Sequence, residues 1–206
     1  MKPLILTGTI VLIVGITWII ITMNNPSIPQ SNNLTPTPTS NLDTTPSPTQ
    51  RKQSMVTYES TYGNLQFQYP SGYFIKESDQ RTSDQPQYTI VLFEDTQENR
   101  DLVEGRNTTP REGPPTITVD IYANSQNLTP SQWIKKSTYW DRIEKDSDTL
   151  LSGTHAEIYN FDGLYAGKLT IAAKDDFMYI FSVGWTDPNA QMVRDYDMVI
   201  NAVQFN

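Results

Sequence analysis

Residues 165–185 read YAGKLTIAAKDDFMYIFSVGW. Tyr165–Lys174 and Phe177–Trp185 are both rich in β-branched and aromatic residues, and only Asp175-Asp176 separates them. Two such runs around a short polar pair read as a β-hairpin, so the chain is committed to antiparallel pairing here. Working outward, Ala156–Phe161 reads as a further short strand. On the other side, Thr186-Asp187-Pro188 reads as a helix opening. Beyond it, Met192, Val193, Tyr196, Val199, Ile200 and Val203 recur at helical steps, which predicts an amphipathic helix lying on the sheet.

The same periodicities organise the earlier sequence. Leu65, Phe67 and Tyr69 alternate with Gln66 and Gln68, as in a half-buried strand. Tyr69-Pro70-Ser71-Gly72-Tyr73 reads as a turn, and extended structure resumes over 73–76. Tyr88–Phe93 is another β-rich run. Ile117, Val119 and Ile121 alternate with Thr118 and Asp120. Thr129-Pro130 is a helix start, with Thr as N-cap and Pro in the first turn; Trp133, Ile134, Ser137 and Trp140 follow at near-helical spacing. The acid-rich stretch 94–115, ending in Pro110, Gly113, Pro114 and Pro115, reads as a long exposed loop with a short helical piece over 99–103. Strands in succession with helices inserted predict an α+β domain built on a mainly antiparallel sheet flanked by helices.

Residues 4–23 form an apolar run without a charge. As a helix it would be about 30 Å long, enough to cross a bilayer. Thr22-Met23-Asn24-Asn25-Pro26 makes a poor cleavage site, and no Ala precedes Ala123, so the run reads as an uncleaved signal-anchor rather than a signal peptide. It is apolar all round, unlike a buried amphipathic helix. Lys2 flanks one end, and no basic residue follows until Arg51 and Lys52, which predicts a cytoplasmic N-terminus and an extracytoplasmic remainder. Residues 24–55 are rich in Pro, Thr and Ser and hold almost nothing apolar, so a disordered linker is expected. It would span about 30 Å as a coil and roughly 100 Å if extended. The expected organisation is an anchor at 1–23, a linker at 24–55 and one folded domain at 56–206.

The domain carries 12 Lys and Arg against 22 Asp and Glu. Such an acidic surface repels phosphate backbones and gives no footprint for nucleic acid. The chain has no Cys, which excludes disulfides, thiol catalysis, iron–sulfur clusters and a lipid-modified cysteine anchor.

Taken in order, the motifs resemble the PsbP-like families of the Mog1/PsbP fold. Tyr62-Gly63, Phe67 and Tyr69-Pro70-Ser71-Gly72-Tyr73 match the family's "YGFSF-YP-GW"-like opening. Leu128-Thr129 with Trp133 match its first helix, Gly153-Thr154-His155-Ala156 a strand entry, and residues 200–205 its terminal helix and apolar tail. The resemblance covers 58–206 and implies an antiparallel sheet with helices on both faces. This chain departs from the photosystem members in carrying an anchor and long linker and no lipobox Cys, so it is more similar to membrane-anchored bacterial relatives. The family supplies no shared catalytic set to carry over.

Chemistry-bearing residues are sparse. His155 is the chain's one histidine; any Ser–His–Asp device would need it, and its place beside Gly153 at a strand entry reads as structural. Oxygen ligands for calcium or manganese are offered by Asp95, Glu98 and Asp101 in the long loop and by Asp175 and Asp176 at the hairpin tip, with Glu94, and with Asp146 and Asp148 in an expected polar loop. None fits D-x-D-x-D-G. Trp133, Trp140, Trp185, Tyr159 and Tyr165 read as core and sheet-face residues rather than a carbohydrate platform. Two functions follow. The first is a non-catalytic binding or assembly module at the cell envelope, membrane-linked through 4–23, requiring no cofactor and engaging an envelope protein or ligand. The alternative is a small-ligand or divalent-metal site, enzymatic or not, using loop carboxylates.

Overall fold

The computed structural model describes residues 54–79, 88–106, 113–137, 142–163 and 165–206. The expected anchor at 4–23 and nearly all of the linker lie outside them, as does Trp140. Among the described residues no helix is long and apolar enough to cross a membrane.

The elements follow in the order β1 (Met55–Glu59), β2 (Leu65–Pro70), β3 (Tyr73–Asp79), β4 (Tyr88–Glu94), α1 (Gln97–Val103), β5 (Ile117–Ala123), α2 (Pro130–Lys136), β6 (Ile143–Leu151), β7 (Thr154–Asp162), β8 (Ala166–Lys174), β9 (Phe177–Trp185), α3 (Gln191–Asn201) and β10 (Gln204–Phe205). A seven-stranded sheet runs β3-β4-β5-β9-β8-β7-β6 and a three-stranded sheet runs β1-β2-β10. Every pairing is antiparallel. The fold is α+β, with helices on both faces of the large sheet.

Alternation along the central strands divides the apolar residues between those faces. Ile117, Val119 and Ile121 of β5 and Tyr179, Phe181 and Val183 of β9 face the main core, which is closed by Leu65, Phe67 and the Met192, Tyr196 and Val199 side of α3. Leu169, Ile171, Met178 and Ile180 face the other way and meet Trp133 and Ile134 of α2. Polar pins hold the main layer: the buried Asp195 accepts from Tyr73 at 2.8 Å and from Gln191 at 2.7 Å, and Tyr196 donates to Thr170 at 2.7 Å. Tyr58 and Tyr88 both donate to Glu77, fastening β1 to the sheet edge.

The Gly63 carbonyl accepts a hydrogen bond from Tyr179. Its φ of +76° suits glycine, and a Cβ there would meet Ile121 at 3.1 Å. Gly167, paired with Phe161, lies directly under that ring: a Cβ would fall 1.9 Å from Phe161.

Several sequence expectations need correction. The expected polar loop around Asp146 and Asp148 is strand β6, at the sheet edge, where one face is solvated and polar residues are tolerated. The last helix begins at Gln191, because Asp187 instead caps a turn through the Asn189 N–H. The expected loop over 94–115 contains the end of β4 and all of α1, whose N-cap is Thr96. The helix after Thr129 ends at Lys136, and a second, smaller sheet was not foreseen. Met55, placed at the end of the linker from sequence, is the first residue of β1.

Candidate functional site

The chemistry gathers where β6 and β7 meet α2. A type I′-like turn, with φ of +49° at Ser152 and +77° at Gly153, reverses the chain between the two strands. Pairing then sets Asp148 opposite Glu157, Leu150 opposite His155 and Lys145 opposite Tyr159. Lys145 and Asp148 are three positions apart and would point to opposite faces of a regular strand. The register shift between Lys145 and Ser147 is a β-bulge that rephases the strand, and both side chains reach one face.

Over that face lies α2. The buried Asn124 braces its entry by donating to the Leu128 carbonyl and accepting from the Leu128 N–H, each at 2.9 Å. Thr129 and Gln132 form a capping box. This fixes Ser131 in the first turn, where its hydroxyl donates to Glu157 Oε2 at 2.5 Å. Tyr159 donates to the same oxygen. Lys145 Nζ lies 3.6 Å from Glu157 Oε1 and 2.8 Å from Asp148 Oδ1. His155 Nε2 is 3.0 Å from the same Asp148 oxygen.

Burial grades across the cluster. The Glu157 side chain is 6% exposed, Lys145 39%, Asp148 58% and His155 60%. Burial pushes the Glu157 carboxyl up. Donation from Ser131 and Tyr159, with the Lys145 charge, outweighs it and holds the group below the ordinary glutamate range. Burial, then the Glu157 hydrogen bond, pushes the Tyr159 phenol up. The Lys145 contact holds Asp148 below its usual range, and Asp148 in turn raises Lys145. At neutral pH the inner shell is therefore a fixed carboxylate, a neutral phenol and a fixed ammonium.

The metal candidates read from sequence are dispersed. Asp95 makes a two-pronged pair with Arg100, at 2.6 and 2.7 Å. Asp101 pairs with Arg106 at 2.8 Å and accepts from Gln97 at 2.8 Å. Glu98 sits in the first turn of the same helix. Asp175 and Asp176 lie apart from these, at the β8–β9 turn, where Asp175 is 3.7 Å from Lys174. Among the described residues, the group of potential ligands the fold does draw together is Asp148, His155 and Glu157, with ligating atoms all within 4.8 Å of one another. Sequence reading treated Asp148 and His155 separately and passed over Glu157, Ser131 and Lys145. The available signal was a charged stretch, 144–148, preceding the Ser152-Gly153 turn, with His155 just beyond.

Two other polar features are set apart. Asp120 accepts from Thr89 at 2.7 Å, and burial pushes its carboxyl up to about 6 against that hydrogen bond. An open cavity of about 270 Å³ is lined by Gln66, Phe67, Gln68, Asn201, Ala202 and Gln204.

No protein-family model matches the chain, and no curated protein does. Its structural neighbours include proteins of the Mog1/PsbP fold. Cyanobacterial PsbP (CyanoP) from Synechocystis is 13% identical, with a TM-score of 0.46 over 77% of this chain and 96% of that one. The yeast Ran-binding protein Mog1p is 11% identical, with a TM-score of 0.42 over 74% and 96%. LpqN of Mycobacterium tuberculosis, described as involved in cell envelope biogenesis, is 11% identical, with a TM-score of 0.38 over 75% and 91%. At these values the likeness concerns the fold and carries nothing about partner or activity.

Proposed function

We propose that the domain is a non-catalytic binding or assembly module, held outside the cytoplasm by residues 4–23 and set off from the membrane by the linker. The observation that carries this reading is the β6–β7 cluster. A buried carboxylate, held by Ser131 and Tyr159, lies beneath an exposed set of recognition groups: Lys145, Asp148, His155 and, beside them, Leu150 at 69% exposure. A carboxylate held ionised beside a phenol held neutral is a poor pair for moving protons near neutral pH. A display of charge around an apolar side chain suits protein contact instead. The uncharged run at 4–23 supports the location.

Two measurements test this. In bacterial membranes the full chain should resist carbonate extraction, and protease added to spheroplasts should digest the domain. Release of a mature form starting near residue 24 would end the anchoring part of the proposal. A photo-crosslinking residue at Leu150 should give a discrete adduct with an envelope component, and one at Asp187 should not. Equal labelling from both positions would end the binding part.

A further inference from the structure

We propose that Asp148, His155 and Glu157 form a binding site for a zinc-class divalent cation, which Lys145 occupies in competition with the metal. The argument begins with donor type. One imidazole nitrogen and two carboxylate oxygens suit zinc and its neighbours, whereas calcium and magnesium prefer oxygen alone. Zinc bonds of about 2.0–2.1 Å to four tetrahedral ligands place donor atoms about 3.3 Å apart. Asp148 Oδ1 and His155 Nε2 already stand at 3.0 Å, and all three ligating atoms lie within 4.8 Å. The adjustment falls on Asp148 and His155, whose side chains are more than half exposed.

Glu157 need not move. Ser131 and Tyr159 both bind its Oε2, which leaves Oε1 directed at the cluster. Such outer partners orient a metal ligand and are characteristic of assembled sites. The exposed side leaves room for a water or a partner's side chain as the fourth ligand.

Lys145 shows that this position accepts a cation. Its ammonium lies 2.8 Å from one carboxylate and 3.6 Å from the other. Since it is 39% exposed on a flexible stem, it can swing into solvent as a metal enters. Lysine and metal are then alternative counter-ions for the same carboxylates. Zinc binding would release the lysine to the surface, and a partner's carboxylate engaging Lys145 would open the metal site. The inference holds whether or not the module has the envelope role proposed above.

His155, as the chain's one histidine, gives an unambiguous probe. The full chain, purified in detergent, is titrated with zinc chloride while the imidazole resonance is followed by NMR and affinity by calorimetry. One equivalent should bind, shift that resonance and raise the melting temperature. His155→Gln should abolish the binding. Lys145→Met should tighten it roughly tenfold, because a positive charge a few ångströms from the site is removed; Lys145→Gln serves if the methionine variant fails to fold. Calcium chloride should neither shift the resonance nor compete. Saturation with an unmoved imidazole, an affinity unchanged or weakened by loss of Lys145, or no saturation in either protein overturns the proposal.

Discussion

Glu157→Gln tests the centre of the cluster with almost no change of shape. The glutamine oxygen still accepts from Ser131 and Tyr159, but those bonds lose their ionic component, and an amide replaces the carboxylate oxygen that faces Lys145 at 3.6 Å. Hydrogen bonds to a charged group contribute about 1.5–3 kcal/mol each, against about 0.5–1.5 kcal/mol for neutral ones. Two shared bonds weakened in this way amount to a loss of about 1–3 kcal/mol. For a domain of this size each kcal/mol shifts Tm by roughly 2–4 °C, so the fragment 49–206 should melt roughly 2–12 °C lower at pH 7. The sign with pH follows from the depressed carboxyl. Its stabilisation is full above the unfolded-state value of about 4.3 and is lost as pH falls through the folded value. The gap between wild type and Glu157→Gln should therefore close in acid. Asp148→Asn, at the exposed end, should leave the neutral-pH melt within error. A Glu157→Gln protein that melts like wild type at pH 7, or a gap that widens in acid, refutes the account of a network held by one ionised buried carboxylate.

Three further outcomes are expected. Gly167→Ala forces its new methyl against Phe161, 1.9 Å away before any relaxation, and should cost about 1–3 kcal/mol by calorimetry; adding Phe161→Leu should restore part of the loss, and no loss in the single variant would contradict the packing. Asp120 has a folded-state carboxyl pushed up to about 6, so the folded state binds more protons between pH 4 and 6 and stability falls as pH rises through that window. Asp120→Asn should remove this fall and raise stability by up to about 3 kcal/mol at pH 7; an Asp120 carboxyl carbon that titrates at the ordinary aspartate value would sink the claim. A fragment starting at residue 60 loses β1, and with it Tyr58, which packs on Phe67 at 5.0 Å and bonds Glu77 at 2.6 Å. It should melt several degrees below fragment 49–206, and equal melts would mean that β1 is dispensable.

Period decided what the sequence made legible. Strands buried on one or both faces announced themselves: Leu65 and Phe67, Ile117 to Ile121, and the 165–185 hairpin all hold their expected places. So did the Thr129 cap, because a capping residue acts through its own neighbours. What escaped was set by long-range pairing. β6, with the sequence IEKDSDTLL, has no alternation because it is an exposed edge interrupted by a bulge. β1 carries its apolar residues half in solvent and is a strand only because β2 lies beside it. Asp187 opened a turn where a helix was expected, since an Asx cap serves both equally well from sequence.

The missed edge strand is also why the candidate site was missed. Lys145, Asp148, His155 and Glu157 span a hairpin, so their meeting depends on a register that no local pattern records. With Asp146 and Asp148 in a loop, each acid would be an ordinary solvated charge. In a bulged strand, Lys145 and Asp148 turn to the face that carries Glu157 of β7, which Ser131 of α2 holds from the other side. The sheet edge thus gains charges that discourage pairing with another strand, and in the proposed function the same charges, above a buried carboxylate, are the groups that meet a partner. Edge protection and the proposed recognition make the same demand on β6: polar side chains, a bulge, and one buried contact that keeps them in register.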